Sequence, residues 1–180
     1  MRVGRRIRTA LLVIGLTVLL LGLALRIYMG SGAEDRLGPG EAVRLSELHS
    51  PLPKNSFLAC PRGYCAAVEA ITSPVFDIPW ERLREYWLEM LSGDKRIVRV
   101  LAEPESRRYM YIQHSPIFRF PDIVTVEFVP LGSDHSSLAL YSRSRYGEYD
   151  FHKNRKRVER WLVLLEKVAR PATPSRKQAP

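Results

Sequence analysis

The sequence predicts an α+β domain carried behind a single N-terminal apolar helix. Three observations predict it. An unbroken uncharged run, Thr9 to Leu25, follows four arginines at the start of the chain. Four alternating, strand-like runs lie between two amphipathic helices. Short connections punctuated by Pro and Gly join them. The order of helix, four strands and helix gives a four-stranded antiparallel meander with helices packed on one face and the other face wet.

Residues 1–8 hold Arg2, Arg5, Arg6 and Arg8 and form a basic N-terminus. Residues 9–29 are read as a transmembrane anchor, since a spanning helix needs about 20 apolar residues. Arg26 lies near its end, where a guanidinium can snorkel to the interface, and Tyr28 suits an interfacial aromatic. The arginine cluster on the short side predicts a cytoplasmic N-terminus and an extracytoplasmic, periplasm-type location for the rest of a single-pass cell-membrane protein. A cleavable signal peptide is the competing reading, with Ser31, Gly32 and Ala33 as small residues for a cleavage site.

Residues 30–55, with Gly38, Pro39, Gly40, Pro51 and Pro53, read as a linker. The domain is expected over 56–169, and the Pro-rich residues 170–180 as a disordered tail. Cys60 and Cys65 enclose Pro61 and Gly63. Outside the cytoplasm their default is a disulfide; a redox pair is less favoured because the spacing is not C-x-x-C. Two cysteines do not make a structural zinc site, and no metal or cofactor site is read elsewhere.

A helix is expected over Ile78–Leu91, capped by Asp77, with Pro79 in its first turn and Gly93 at its end. Trp80, Leu83, Trp87, Met90 and Leu91 form its core stripe. The strands are Arg96–Ala102, Arg108–Gln113, Ile123–Val129 and Ser137–Arg145. Val98, Val100 and Ala102 are expected on one face, and Thr125 and Glu127 opposite the apolar face of their strand. The last helix runs from Phe151 to Ala169 with Asp150 as N-cap and a stripe of Phe151, Val158, Trp161, Leu162, Leu165 and Val168.

The net charge of +9 suggests a nucleic-acid partner only until it is partitioned. Of the 28 bases, five arginines belong to the N-terminal segment and three bases to the tail, which leaves 20 between them against 19 acids. A near-neutral domain argues against nucleic acid and leaves the bilayer, anionic lipid or an envelope component as partner.

The stretch Ser142–Arg157 is the candidate site. Helical geometry puts Asn154 near the centre of an apolar stripe, Arg155 toward its edge and Arg157 on its flank. The strand before it delivers Ser142, Arg143, Ser144 and Arg145, and Gly147 permits a tight turn before Asp150. Two readings stand. One is a polar lock that clamps the last helix to the sheet. The other is an anion or carboxylate site using Arg143, Arg145 and Arg155 with the helix N-terminus. Lys153, Lys156, Arg160 and Lys167 lie on the opposite helix face, read as solvated or as docking onto anionic lipid.

No nucleotide-binding glycine loop, H-E-x-x-H or G-x-S-x-G is present, and His49, His114, His135 and His152 are far apart in sequence. The favoured function is therefore a binding, scaffolding or envelope-associated accessory role, leaning away from catalysis. The alternative is a hydrolase or transferase centred on Asp122, Asp150, Asn154 and Arg155, which requires those groups to converge in a pocket.

The segment SRSRYGEYDFHKNRKRVERW resembles the C-terminal signature of the family called domain of unknown function 1499. CPRGYC resembles its Cys-Pro loop, with Arg62, Gly63 and Tyr64 where the family carries Ser-Pro-Asn. IFRFPDIVTVEF resembles its Phe-x-Phe-x-Asp-x-Val strand, with Asp122 at the acidic position. The resemblance covers about Asn55 to Ala169. It implies a small extracytoplasmic or membrane-associated domain and brings no established activity, substrate or cofactor.

Overall fold

A computed structural model describes residues 2–30 and 43–169. The expected tail, 170–180, and residues 31–42 of the expected linker lie outside the described residues. Helix α1 spans Arg2–Gly30, and within it Arg6–Met29 has a mean hydropathy of 2.5. By length and composition this segment can cross a membrane; a signal sequence passes the same test.

The domain is an α+β fold built on a six-stranded sheet in place of the expected four. The strands are β1 (Ser56–Cys60), β2 (Ile71–Thr72), β3 (Ile97–Glu103), β4 (Arg108–His114), β5 (Pro121–Pro130) and β6 (Ser136–Ser144). Their order is β2-β1-β6-β5-β4-β3. Strands β3 to β6 form the expected antiparallel run. Strand β1 adds antiparallel to β6, and β2 adds parallel to β1, so the sheet is mixed. These strands escape a periodicity reading because SFLAC is short and β2 has two residues. A register shift between Arg99 and Leu101 also splits the face expected for β3. Val98 pairs with Ile112, Ala102 with Tyr109, and those two partners lie on opposite faces of β4.

Helices α2 (Trp80–Ser92) and α3 (Lys153–Val168) cover one face. Tyr109 and Tyr111 of β4, Val124, Val126 and Phe128 of β5, and Leu138 and Leu140 of β6 meet them there. Trp87 is the hub: its ring lies 5.3 Å from Trp161, 6.0 Å from Tyr111 and 6.4 Å from Phe128, in tilted or edge-on arrangements. Asp77 does not cap α2. Pro79 holds the N-cap position without a side-chain bond, and Asp77 lies 3.5 Å from His135. Phe151 and Val168 leave the core stripe of α3, being 81% and 52% exposed. Phe151 and His152 both take left-handed backbone, so the helix begins two residues later than periodicity suggests.

The second face is not wet. Thr125 and Glu127 are 1% and 4% exposed. A 3-10 turn, Leu45–Glu47, and the loop closed by the Cys60–Cys65 disulfide pack over part of it, with Leu45, Leu58, Ala67 and Tyr141 in one cluster. Glu127 is the polar anchor of this layer. Its carboxylate accepts the Leu45 N–H and the Tyr64 hydroxyl, each at 3.0 Å. Burial, reinforced by the Glu127 charge, pushes the Tyr64 phenol up to about 12.

Glu127→Gln keeps one acceptor oxygen for the Leu45 N–H, turns its NH2 toward the Tyr64 hydroxyl oxygen and removes the charge. Spectrophotometric titration should then show Tyr64 ionising lower than about 12 yet still above the ordinary phenol value of 10.0, because burial, the larger cause, remains.

Candidate functional site

The registers of the sheet arrange its helix-covered face into rows. One row pairs Tyr109, Val126, Leu140 and Ala59, and the next Tyr111, Val124, Ser142 and Phe57. The last sets Gln113, Asp122 and Ser144 side by side, and the Asn55 carbonyl continues it by accepting the Ser144 N–H. The face therefore changes from apolar to polar along the strands, and the first two turns of α3 lie over the polar end.

Asn154 is fully buried there, and its whole amide is bonded. Its Oδ1 accepts the Ser142 hydroxyl at 2.7 Å and an N–H of Arg157. Its Nδ2 donates to the Asn55 carbonyl at 2.7 Å and to Ser144 Oγ at 3.1 Å. The Asp150 carboxylate accepts the Asn154 N–H at 2.8 Å and the His152 N–H at 3.0 Å. Asp150 thus performs the N-terminal capping expected of it from two residues before the N-cap position, which His152 occupies. This bonding winds residues 151 and 152 through the left-handed region. Gly147, at φ +83°, makes the preceding turn, and the Asn55 side chain donates to its carbonyl at 2.6 Å.

Arg157 is the cation of the cluster. Its guanidinium donates to Asp122, Gln113 and Asn154, and to Ser142 Oγ at 2.7 Å. The Arg157 and Asp122 side chains are 10% and 12% exposed, so this is a buried ion pair whose remaining groups are also bonded. Ser144 donates to the other Asp122 oxygen at 2.8 Å. Gln113 carries the chain outward to Asp94 at 3.3 Å, and Arg96 grips Asp94 with two donors at 2.9 and 2.7 Å. The Arg96 guanidinium holds the Asp94 carboxyl at about 2, well below its ordinary value.

The structure thus brings together Ser142, Ser144, Gly147, Asp150, Asn154, Arg157 and Asp122. It does not bring in Arg155, which is exposed, pairs with Glu159 at 2.8 Å and lies over the Phe57 ring. Arg143 pairs with Ile123, on the sheet face away from the helices. Arg145 lies beyond the end of β6, with its guanidinium 5.9 Å from the Tyr146 ring centre. Sequence reasoning missed Asn55, Gln113, Asp94 and Arg96. Only Gln113 carries a signal, two residues beyond Tyr111 on the same strand face.

A cleft of about 280 Å³ opens beside this network. Arg96, Lys153, Lys156, Arg157 and Arg160 bring five cations to its walls, and Asp122 is the one carboxylate among the lining residues. A neighbouring cleft of about 290 Å³ shares Ser115, Asp122 and Lys153 with it and is rimmed by Phe120, Tyr146, Tyr149 and Phe151.

A family model matches residues 66–165, from just after Cys65 to within α3, and so takes in most of the polar row and the cleft. The chain belongs to the family described as Protein of unknown function (DUF1499). Asn55 and the CPRGYC loop lie before the matched stretch. No curated protein matches the chain.

Asn154→Ala removes four hydrogen bonds from buried partners and should destabilise the domain by about 1–3 kcal/mol in equilibrium urea unfolding. Acid sensitivity has a second signature. The folded Asp94 carboxyl is depressed, so its stabilisation is complete above the unfolded value of 3.8 and fades as pH falls toward about 2. Asp94→Asn should flatten that part of the stability-against-pH curve and leave the curve above it parallel to wild type.

Proposed function

We propose that the protein is a single-pass, membrane-anchored accessory protein whose extracytoplasmic domain binds an anionic ligand in the cleft above Asp122. The anchor reading rests on the length and hydropathy of Arg6–Met29, and the orientation on the arginines that precede it. The ligand reading is carried by one observation: of the five cationic side chains on the cleft, Arg157 and Arg96 are paired with Asp122 and Asp94, which leaves Lys153, Lys156 and Arg160 to meet an anion. Lys153, Lys156 and Arg160 are exposed on successive turns of α3, where their ammonium and guanidinium groups can turn to an incoming anion. The Arg157–Asp122–Asn154 network acts as the lock beneath them: it fixes the helix that carries the cations.

This favours binding over catalysis. A proton-transfer role needs a carboxylate poised toward substrate, whereas Asp122 and Asp150 are each bonded at both oxygens within the network.

The test is the thermal response of the full chain in detergent to inorganic pyrophosphate. A rise in Tm at low salt, weakened by added salt and lost in Lys153→Glu/Lys156→Glu/Arg160→Glu, is expected. No rise at low salt, or a rise that survives the triple variant, contradicts the cleft as the site.

A further inference from the structure

We propose that the loop 115–120 is a second membrane attachment, and that the anion taken by the cleft is the phosphate headgroup of an anionic phospholipid in the same leaflet. This rests on the anion-binding reading of the cleft and names its ligand.

The loop joins β4 to β5 with the sequence SPIFRF. Its ends are tied: the Ser115 N–H donates to the Phe120 carbonyl, and the Phe120 N–H to Ser115 Oγ, both at 2.9 Å. Arg119 takes left-handed backbone at φ +57°, and its carbonyl is 3.0 Å from the His114 ring nitrogen. The Ser115–Phe120 bonds thus close the turn at its base. The tip is apolar: Ile117 is 68% and Phe118 40% exposed. Isolated exposed apolar residues need no explanation, but these have a definite neighbour.

That neighbour is α1. Arg26 donates to the carbonyls of Pro116, at 3.1 Å, and Ile117. Ile117 and Phe118 line an apolar gap of about 390 Å³ with Val18, Leu19, Gly22 and Leu23. At 1.5 Å per residue, Gly22 and Val18 lie about 6 and 12 Å along the helix from Arg26. Arg26 closes the uncharged run, at headgroup level once α1 spans the bilayer. The loop tip therefore lies beside apolar residues at the depth where acyl chains begin, which is the depth an interfacial element reaches.

The same loop forms part of the cationic cleft through Ser115 and Pro116. The cleft thus adjoins the base of the wedge, on the headgroup side of its tip. A phospholipid satisfies both parts at once. Its phosphate meets Lys153, Lys156 and Arg160, and one acyl chain lies in the gap between α1 and the wedge. A free phosphate satisfies only the first.

The full chain is placed in nanodiscs of phosphatidylcholine alone, or of phosphatidylcholine with phosphatidylglycerol, each carrying a trace of lipid with a diazirine in the acyl chain. Carbene label is expected on residues 116–118 as well as on α1. Tm is expected to be higher in the phosphatidylglycerol discs, and the difference to vanish in Lys153→Glu/Lys156→Glu/Arg160→Glu. Ile117→Ser/Phe118→Ser should lose the loop label and keep the pyrophosphate response in detergent. Label confined to α1 overturns the wedge. A pyrophosphate response without any difference between the two discs overturns the lipid assignment and leaves the anion-binding reading standing. Loss of both responses removes the two together.

Discussion

The ion pair between Arg157 and Asp122 sits where a helix crosses the polar end of a sheet, and the geometry of the site follows from it. A buried pair of charges is tolerable only when the other lone pairs and protons are also bonded. Here Ser142, Ser144, Gln113 and Asn154 supply those bonds, and each sits at a position fixed by strand register or helical spacing. Removing either charge would leave the other stranded beneath α3. The pair therefore couples the β4–β5 half of the sheet to the helix, while Asn154 couples the helix to the segment that enters β1.

Burial on both faces makes this arrangement rigid. The aromatic cluster around Trp87 fills one side, and the Leu45 turn with the disulfide loop covers part of the other. Glu127 does on the second face what Asp122 does on the first: a buried carboxylate bonded at both oxygens by groups from distant parts of the chain. The cations that line the cleft are carried by elements fixed in this way. A cationic cleft on a rigid frame is suited to holding an anion in one orientation, and its Pro116 edge is bonded to Arg26 of α1.

Much of this was legible in the residues, and the failures have physical causes. Helix α2, strands β3 to β6 and most of α3 follow from apolar spacing, since those elements each bury a face or a stripe. Strand β1 was hidden because SFLAC carries no polar alternation: it is paired between β2 and β6 and covered on both sides. The covered second face was hidden because a segment rich in Pro and Gly reads as a linker whether or not Leu45 is buried. Periodicity placed Asn154 correctly but ranked Arg155 above Arg157. A helical wheel tracks the backbone, whereas a guanidinium on a long stem reaches the core from the flank. Phe151 looked like core because the wheel assumes a helix that begins there; the Asp150 carboxylate starts it at Lys153 instead. The cleft was not legible at all, since Arg96 and α3 meet only through the sheet.

The central claim is that Asp122 and Arg157 act as one unit holding α3 to the sheet, and a double-mutant cycle measures it most directly. Equilibrium unfolding of Asp122→Ala, Arg157→Met and the double variant gives the coupling. The account predicts that each single change costs about 3–5 kcal/mol and that the double costs clearly less than their sum, because no charge is left stranded. Costs that add to within about 0.5 kcal/mol would contradict it.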